Sequence, residues 1–288
     1  MKHIPAIILS ALVAFTSQAQ ISSMQQVRFH NEASDTTRIT DMLVDAESKH
    51  MKTPGAIVAY IGQQFIGTPY VAHTLEAEPE MVTVNLDQLD CTTFVETVAA
   101  MALTVNERRA SWRDFVYNLE RIRYRSGRVN GYPSRLHYNA DWAVDNIYRG
   151  NIIDATVLFP KYSTVAKTID FMTENADKYP ALADSANLAR MKEVELGYRL
   201  HKVPYIKTID LSNKKVEGEF RSGDICALVT KMKNLDVTHM GIILVKEGEP
   251  YLLHASSSNG RVEVTEAPLS DFMKRNRNLL GIRVYRLQ

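Results

Sequence analysis

The chain has 288 residues, in which 34 Lys and Arg nearly balance 33 Asp and Glu. This balance gives no indication of binding to nucleic acid or to an anionic membrane surface. Two cysteines are too few for a disulfide-stabilised scaffold.

The first predicted element is a signal peptide over residues 1–19. A polar start, an apolar stretch over 4–15 and the small-residue segment Ser17-Gln18-Ala19 have the pattern of a cleaved secretory leader. The apolar stretch is short for a membrane span and no later segment is better suited, so we expect no stable membrane insertion. No cysteine lies near the cleavage site, which argues against a lipid anchor. We therefore expect residues 20–288 to be exported, to the periplasm or outside the cell, as a single domain.

Helical periodicity dominates the front of the mature chain. Ser34-Asp35-Thr36 offers caps for a first helix. Thr53-Pro54 opens a second helix, which Gly67 closes. A third helix begins around Cys91 and has apolar residues at spacings of three and four, and Ser111 caps a fourth.

The last third of the chain changes to the shorter period of strands. Between this part and the front helices, residues of about 106–220 are interpreted as a largely helical insertion. Helices followed by a run of antiparallel strands predict an α+β fold, with the Cys91 helix packed on the later sheet. The predicted strands are 225–229, 240–245, 251–255, 261–264 and 282–286.

Cys91 is the principal candidate for a catalytic group. A thiol at a helix start is exposed to the positive end of the helix dipole and to unpaired N–H groups, both of which favour the thiolate. The alternative is a small buried residue near a helix cap. Cys226 lies in a predicted buried strand and is interpreted as an inert core thiol, with a Cys91–Cys226 bridge as the alternative.

Two of the eight histidines lie where they can assist a cysteine. His239 opens one predicted strand and His254 lies in the next, so hairpin pairing across a turn near Gly248 can bring them side by side. We expect His239 to hold Cys91 as thiolate–imidazolium and then protonate the leaving amine. His254 is expected to fix the tautomer of His239. The N–H of Cys91 and the hydroxyl of Tyr70 are candidates for binding the oxyanion, although Tyr70 can equally be a core residue.

The candidate site residues lie in four short motifs: Gly67-Thr68-Pro69-Tyr70, Asp90-Cys91-Thr92, Thr238-His239-Met240-Gly241-Ile242 and His254-Ala255-Ser256. These motifs resemble those of the NlpC-type, papain-like cell-wall cysteine hydrolases. The resemblance implies a papain-like core in which the four site residues are an auxiliary tyrosine, a nucleophile, a base and an orienting histidine. The sequence departs from the common Asp-Cys-Ser-Gly motif at Thr92-Thr93, and its nucleophile and base are far apart in the chain.

These departures indicate the N-acetylmuramoyl-L-alanine amidase-like branch of that superfamily. The segments 85–96, Tyr132-Pro133-Ser134-Arg135-Leu136-His137-Tyr138 and 253–257 look like segments of this branch. The resemblance implies hydrolysis of the amide between N-acetylmuramic acid and L-Ala in peptidoglycan fragments (muropeptides). We expect no cofactor and no metal.

A sugar-peptide ligand is consistent with the residues of the insertion. Aromatic rings can stack on a sugar, and cations can bind carboxylates. Thr92 and Thr238 complete the predicted substrate-binding set, and the alternative is a set of core aromatics with a structural ion pair. The insertion residues in the set are Tyr132, Arg135, His137, Tyr138 and Trp142.

Several other functions remain open on sequence alone. Cys91, His239 and His254 have the ligand types of a zinc site but not its short spacings. Papain-type proteolysis, cleavage within the cell-wall peptide, acyl transfer and non-catalytic glycan binding are the remaining alternatives.

Overall fold

A computed structural model of the protein describes residues 27–288, so the predicted signal peptide lies outside the described residues. No helix within 27–288 is both long enough and apolar enough to cross a membrane. The helices are α1 (Glu32–Ser48), α2 (Pro54–Gln63), α3 (Cys91–Asn106), α4 (Trp112–Arg123), α5 (Asn139–Tyr148), α6 (Phe171–Glu174), α7 (Ser185–Leu196), α8 (Lys214–Glu217) and α9 (Leu269–Lys274).

Within residues 27–288, ten strands form one small and one large sheet. The strands are β1 (Val27–Phe29), β2 (Val82–Val84), β3 (Ile152–Asp154), β4 (Ser163–Lys167), β5 (His201–Lys207), β6 (Ile225–Thr230), β7 (Val237–Lys246), β8 (Glu249–Ser256), β9 (Arg261–Val264) and β10 (Leu279–Leu287). The small sheet is the parallel pair β1–β2, whereas every pairing in the large sheet is antiparallel.

The large sheet has eight strands in the order β4-β5-β10-β6-β7-β8-β9, and β3 also pairs with β10. The terminal strand β10 therefore joins the insertion strands β3 and β5 to the hairpins that follow. Gly281 of β10 permits the close approach of β5, because a Cβ there would lie 1.8 Å from the carbonyl oxygen of Ile206. The fold is mixed, with helices and an antiparallel sheet, as the sequence predicts.

Both faces of the large sheet are buried, which separates the two cysteines. Alternate residues of β6 point to opposite faces. Ile225 and Ala227 pack with α3 in the larger core, and Cys226 and Leu228 pack in a second core on the other face. Cys226 is fully buried and both cysteines are free, so the alternative of a Cys91–Cys226 bridge is excluded and Cys226 is a core thiol.

Several predicted boundaries need correction. Helix α1 begins at Glu32 because Asn31, and not the segment 34–36, supplies the cap and accepts the N–H of Ser34. Helix α2 ends at Gln63, and Gly67 follows in a turn with φ of +93°. The insertion contributes three short strands, β3, β4 and β5, beside its helices, and the sequence did not predict these strands. The third and fourth helices begin at the predicted positions, and the predicted strands correspond to β6–β10.

Candidate active site

Cys91 is the first residue of α3, and its position is fixed by a capping box. Asp90 Oδ1 accepts the backbone N–H of Thr92 at 3.0 Å and that of Thr93 at 2.8 Å. The hydroxyl of Thr93 in turn accepts the N–H of Asp90 at 2.8 Å. Thr93 therefore has a structural role at this helix start, and the N–H of Cys91 is not used by the cap.

Burial and neighbouring groups have opposing effects on the pKa of the Cys91 thiol. Burial and the neighbouring carboxylate of Asp90 raise its pKa, whereas the N–H of Met240 and the hydroxyl of Thr92 lower it. The net effect raises the pKa of Cys91 to about 11. The helix start alone therefore does not make a thiolate in the free protein, because burial disfavours the charged form.

His239 and His254 form a hydrogen-bonded pair, with His239 Nε2 2.7 Å from His254 Nδ1. Their rings are nearly perpendicular at 87°. Burial and the neighbouring His254 lower the pKa of His239 to about 3. Burial thus favours the neutral thiol and the neutral imidazole in the free protein, which is the direction opposite to the expected thiolate–imidazolium pair.

Cys91 and His239 line one cavity of about 90 Å³. The cavity lies between the start of α3, the start of β7 and the insertion. Four predicted substrate-binding residues share this cavity: Thr92, His137, Trp142 and Thr238. The structure thus brings together the predicted nucleophile, base and part of the predicted substrate site.

Tyr70 lies beside the nucleophile segment. Its backbone N–H donates to the carbonyl of Gly260 at 2.8 Å, and Tyr70 forms an isolated bridge with Leu89. The ring is half-buried, and burial, followed by the nearby Cys91 and Asp90, raises the pKa of the hydroxyl. These contacts keep Tyr70 near Cys91.

Three predicted substrate-binding residues are not at the cavity. Tyr138 is buried in the core of the insertion, where its hydroxyl donates to Glu195 at 2.6 Å. Tyr132 belongs to the same core, and the Arg135 guanidinium lies over its ring. Arg135 is buried in ion pairs at 3.0 Å with Glu76 and 3.3 Å with Glu80. Their expected contacts with substrate are corrected to the alternative, core aromatics with a structural ion pair.

The sequence interpretation missed other residues of this site. Asn139 and Asp236 also line the cavity, and Asp236 accepts the N–H of Ala140 at the start of α5. Glu263 of β9 is the strand partner of His254, and its charge opposes the effect of burial on that histidine. The alternation along β9 is the one signal by which Glu263 could have been found.

A larger groove of about 1020 Å³ borders the same strands, and Thr238 and His239 line both spaces. His254, Arg275 and Arg277 also line this groove. A separate depression of about 800 Å³ on the insertion contains none of the predicted site residues. Within residues 27–288, no three His, Cys, Asp or Glu side chains are grouped as metal ligands.

A family model described as AmiA-like, N-acetylmuramoyl-L-alanine amidase-like, matches residues 60–282. This range includes the Cys91 helix, the whole insertion and both histidine strands. The chain belongs to the N-acetylmuramoyl-L-alanine amidase-like family. The expected resemblance is therefore confirmed at the level of the amidase-like family.

Solved structures are similar over most of this amidase-like chain. An N-acetylmuramoyl-L-alanine amidase from Bacteroides uniformis is 38% identical, with a TM-score of 0.76, and the match covers 82% of this chain and 99% of that one. A protein from Bacteroides fragilis, described as a candidate xylanase, is 39% identical with a TM-score of 0.73, over 78% of this chain and 98% of that one.

A Legionella pneumophila protein shares the fold at 21% identity, with a TM-score of 0.67 over 89% of this chain and 97% of that one. A comparison with curated protein sequences found no match. The family and the amidase structures identify the chain as an amidase-like hydrolase of the kind that acts on cell walls.

Proposed function

We propose that the protein is a cysteine amidase that hydrolyses the bond between N-acetylmuramic acid and L-Ala in muropeptides. The observation that carries the proposal is the arrangement of Cys91 and His239 around one cavity, with His239 Nε2 2.7 Å from His254 Nδ1. Nucleophile, base and orienting group are the three parts that a cysteine hydrolase needs. Family membership supports the choice of the muramoyl amide.

The hydrogen bond between the two histidines determines which ring nitrogen of His239 can act as the base. If His239 Nε2–H donates to His254 Nδ1, then His239 Nδ1 carries the lone pair of the base. His239 takes the thiol proton as Cys91 sulfur bonds to the lactoyl carbonyl carbon. The low pKa of this imidazole means that it is already unprotonated in the free enzyme.

The remaining steps follow from the same residues. The N–H of Cys91 and the Tyr70 hydroxyl stabilise the oxyanion. Collapse breaks the C–N bond, His239 returns its proton to the amine of L-Ala, and a muramoyl thioester remains on Cys91. Water then attacks the thioester carbonyl with His239 as base, which releases the muramic acid carboxylate and restores the thiol.

The sizes of the two spaces suggest how a muropeptide is divided between them. The cavity of about 90 Å³ is far smaller than the 300–1000 Å³ typical of ligand sites, so it holds only a small group. The adjoining groove of about 1020 Å³ is large enough for the bulk of the substrate. Arg275 and Arg277 in that groove supply cations for stem-peptide carboxylates.

A papain-like core and export from the cytoplasm, to the periplasm or beyond, are part of the same proposal. The start of α3 against an antiparallel sheet supports the first, and the leader pattern in residues 1–19 supports the second.

Mass spectrometry of the products of a muramoyl-tripeptide tests the proposed bond. The proposal predicts free tripeptide together with N-acetylmuramic acid. Cleavage within the peptide would assign the protein to the endopeptidases instead, and transfer of the muramoyl group to an added amine would identify an acyltransferase.

Substitution of the proposed catalytic residues tests the mechanism. Cys91→Ala and His239→Ala should each lower kcat about a thousandfold or more, because members of such a triad act as a unit. His254→Ala should cost less, since His254 orients the base and does not exchange protons with substrate. Cys226→Ala, on the other face of the sheet, is the matched control and should keep its activity. An active Cys91→Ala protein would contradict the mechanism.

A further inference from the structure

Lys167 of β4 is a buried cation that the proposed chemistry does not use. It is 4% exposed, and its Nζ donates to the carbonyl oxygens of Thr230 at 2.7 Å and Leu235 at 2.8 Å, and also to that of Met232. Burial of an ammonium without partners is costly, but here three acceptors satisfy its three N–H donors. All three carbonyls belong to the turn between β6 and β7, residues 230–236, so one ammonium holds the whole turn.

Two further contacts join this turn to the insertion. The N–H of Asp170 donates to the carbonyl of Asn234 at 3.3 Å. Asp236, at the end of the turn, accepts the N–H of Ala140 in α5. Burial lowers the pKa of Lys167, and the nearby charge of Asp236 opposes that effect. The turn is therefore attached to the insertion at three places, and Lys167 makes most of the hydrogen bonds.

The chain that leaves this turn forms one wall of the Cys91 cavity. Six consecutive residues, 235–240, line the cavity. Among them, His239 is the proposed base, and the N–H of Met240 lowers the pKa of the Cys91 thiol. The segment 235–240 thus brings two groups to the sulfur, and its position decides how well both are aligned.

The position of His239 depends on the turn because this part of β7 has one strand neighbour. His239 pairs with Leu228 of β6, next to a shift in register between Leu228 and Val229. The pairs of β7 with β8 begin only at Ile242. Support for His239 therefore has to come from the turn that precedes it, which Lys167 holds.

We propose that Lys167 is a positioning residue, which holds His239 and the Met240 N–H against Cys91 through the turn between β6 and β7. The inference rests on the proposed function for the roles of His239 and Cys91. Lys167 does not line the Cys91 cavity, so its loss should slow the chemical step and leave substrate binding largely unchanged. A displacement of about 1 Å in a catalytic group can cost about 100-fold in rate.

The kinetics of Lys167→Met test this role, because Met fills a similar volume without the ammonium. The value of kcat for a muramoyl-tripeptide should fall roughly 10- to 100-fold, with KM changed less than about threefold. Lys161→Met, which breaks an exposed ion pair with Asp210, is the matched control and should keep the wild-type kcat. Wild-type kcat in Lys167→Met, or a loss that lies wholly in KM, would overturn the proposal.

A second variant keeps the test valid if Lys167→Met does not fold. Lys167→Gln retains a neutral N–H₂ group that can donate to two of the three carbonyls. Its kcat should fall in the same direction and by a smaller factor. A folded Lys167→Gln protein with the wild-type kcat, or with a change in KM alone, would contradict the positioning role.

Hydrogen exchange tests the role without any substrate. In the folded Lys167 variants, the amides of 237–240 should exchange faster than in the wild type, whereas those of β10, in the middle of the large sheet, should keep their rates. Unchanged exchange at 237–240, or an equal increase in both places, contradicts the proposal even if the muramoyl amide is cleaved. Faster exchange confined to 237–240, in a protein that does not cleave this amide, contradicts only the proposed function.

Discussion

At the scale of single residues, the start of helix α3 and burial act in opposite directions on the pKa of the Cys91 thiol. The helix start and nearby donors favour the thiolate, but burial and Asp90 raise the pKa to about 11. His239 is neutral for the same reason, with its pKa lowered to about 3. In the proposed mechanism the thiol therefore loses its proton during attack and not before it.

The pH dependence of thiol modification tests whether Cys91 and His239 are both neutral in the free protein. In Cys226→Ala, the rate of Cys91 modification by methyl methanethiosulfonate should keep rising above pH 9, since the reactive thiolate appears only near the raised pKa. Asp90→Asn retains the oxygen that caps α3 and removes the charge, so it should move the profile to lower pH. A rate that is already constant between pH 5 and 8 would indicate a preformed thiolate–imidazolium pair.

At the scale of elements, a buried ion pair joins the Cys91 helix to its neighbour. Arg123 at the end of α4 donates from Nε to Glu96 of α3 at 2.6 Å, and both side chains are 2% exposed. Arg123 also donates to the carbonyl of Thr83 in β2 at 2.7 Å. Helix α3, helix α4 and strand β2 are thus connected through one guanidinium.

Removal of one partner of this pair should destabilise the protein strongly. Arg123→Met leaves the Glu96 carboxylate buried without a partner, which typically costs about 3–5 kcal/mol in the free energy of unfolding. Urea denaturation measures the loss. Lys274→Ala, which breaks the exposed pair with Asp271 in α9, is the matched control and should cost less than about 1 kcal/mol. Similar losses in both variants would contradict a structural role for the buried pair.

Elements with a strong local pattern could be predicted from the sequence. The start of α3 at Cys91 and the hairpin that joins His239 to His254 depend on caps, turns and periodicity within short segments. The insertion strands could not be predicted in this way. Strand β3 has three residues and pairs with β10 at the other end of the chain, and β5 contains Pro204.

In the candidate site, too, only the residues that lie in local sequence patterns could be predicted. Cys91, the proposed nucleophile, and the two histidines could be predicted from local motifs, whereas the residues that complete the cavity depend on how the insertion packs. Arg135 and Tyr138 looked like ligands for substrate because their types suit a muropeptide. Their actual partners, Glu76, Glu80 and Glu195, are distant in the chain and no local pattern indicates them.

At the scale of the whole molecule, the insertion and the sheet are one folded unit that encloses the site. Strand β10 pairs with β3 and β5 of the insertion and with β6 of the hairpins. Lys167 of β4 donates to the carbonyls of Thr230 at 2.7 Å and Leu235 at 2.8 Å, on either side of the loop that leads to His239. Each part therefore supports the geometry of the other.

Acid should destabilise the folded protein, because the fold keeps two histidines neutral that become protonated in the unfolded chain. The pKa values of His137 and His239 are lowered to about 3, so below pH 6.5 the unfolded chain binds protons that the folded protein does not. Their contribution to stability is present above pH 6.5 and is lost as the pH falls towards 3. His137→Gln should remove about 1 kcal/mol of the loss between pH 6.5 and 4.5, a value reduced for the partial exposure of the ring.

Urea denaturation at the two pH values measures this difference. The comparison of wild type with His137→Gln cancels the carboxylates, such as Glu80 and Glu96, whose raised pKa values act in the opposite direction. An identical pH dependence in the two proteins would show that His137 is not held neutral by the fold.

The intermediate on Cys91 provides the most direct test of the proposed cysteine amidase. Rapid acid quenching during turnover of a muramoyl-tripeptide, followed by intact-protein mass spectrometry, should reveal an adduct with the mass of the muramoyl acyl group without the peptide. The adduct should map to Cys91 and be absent from Cys91→Ala. An adduct that retains L-Ala, or turnover by Cys91→Ala at the wild-type rate, would contradict the proposal.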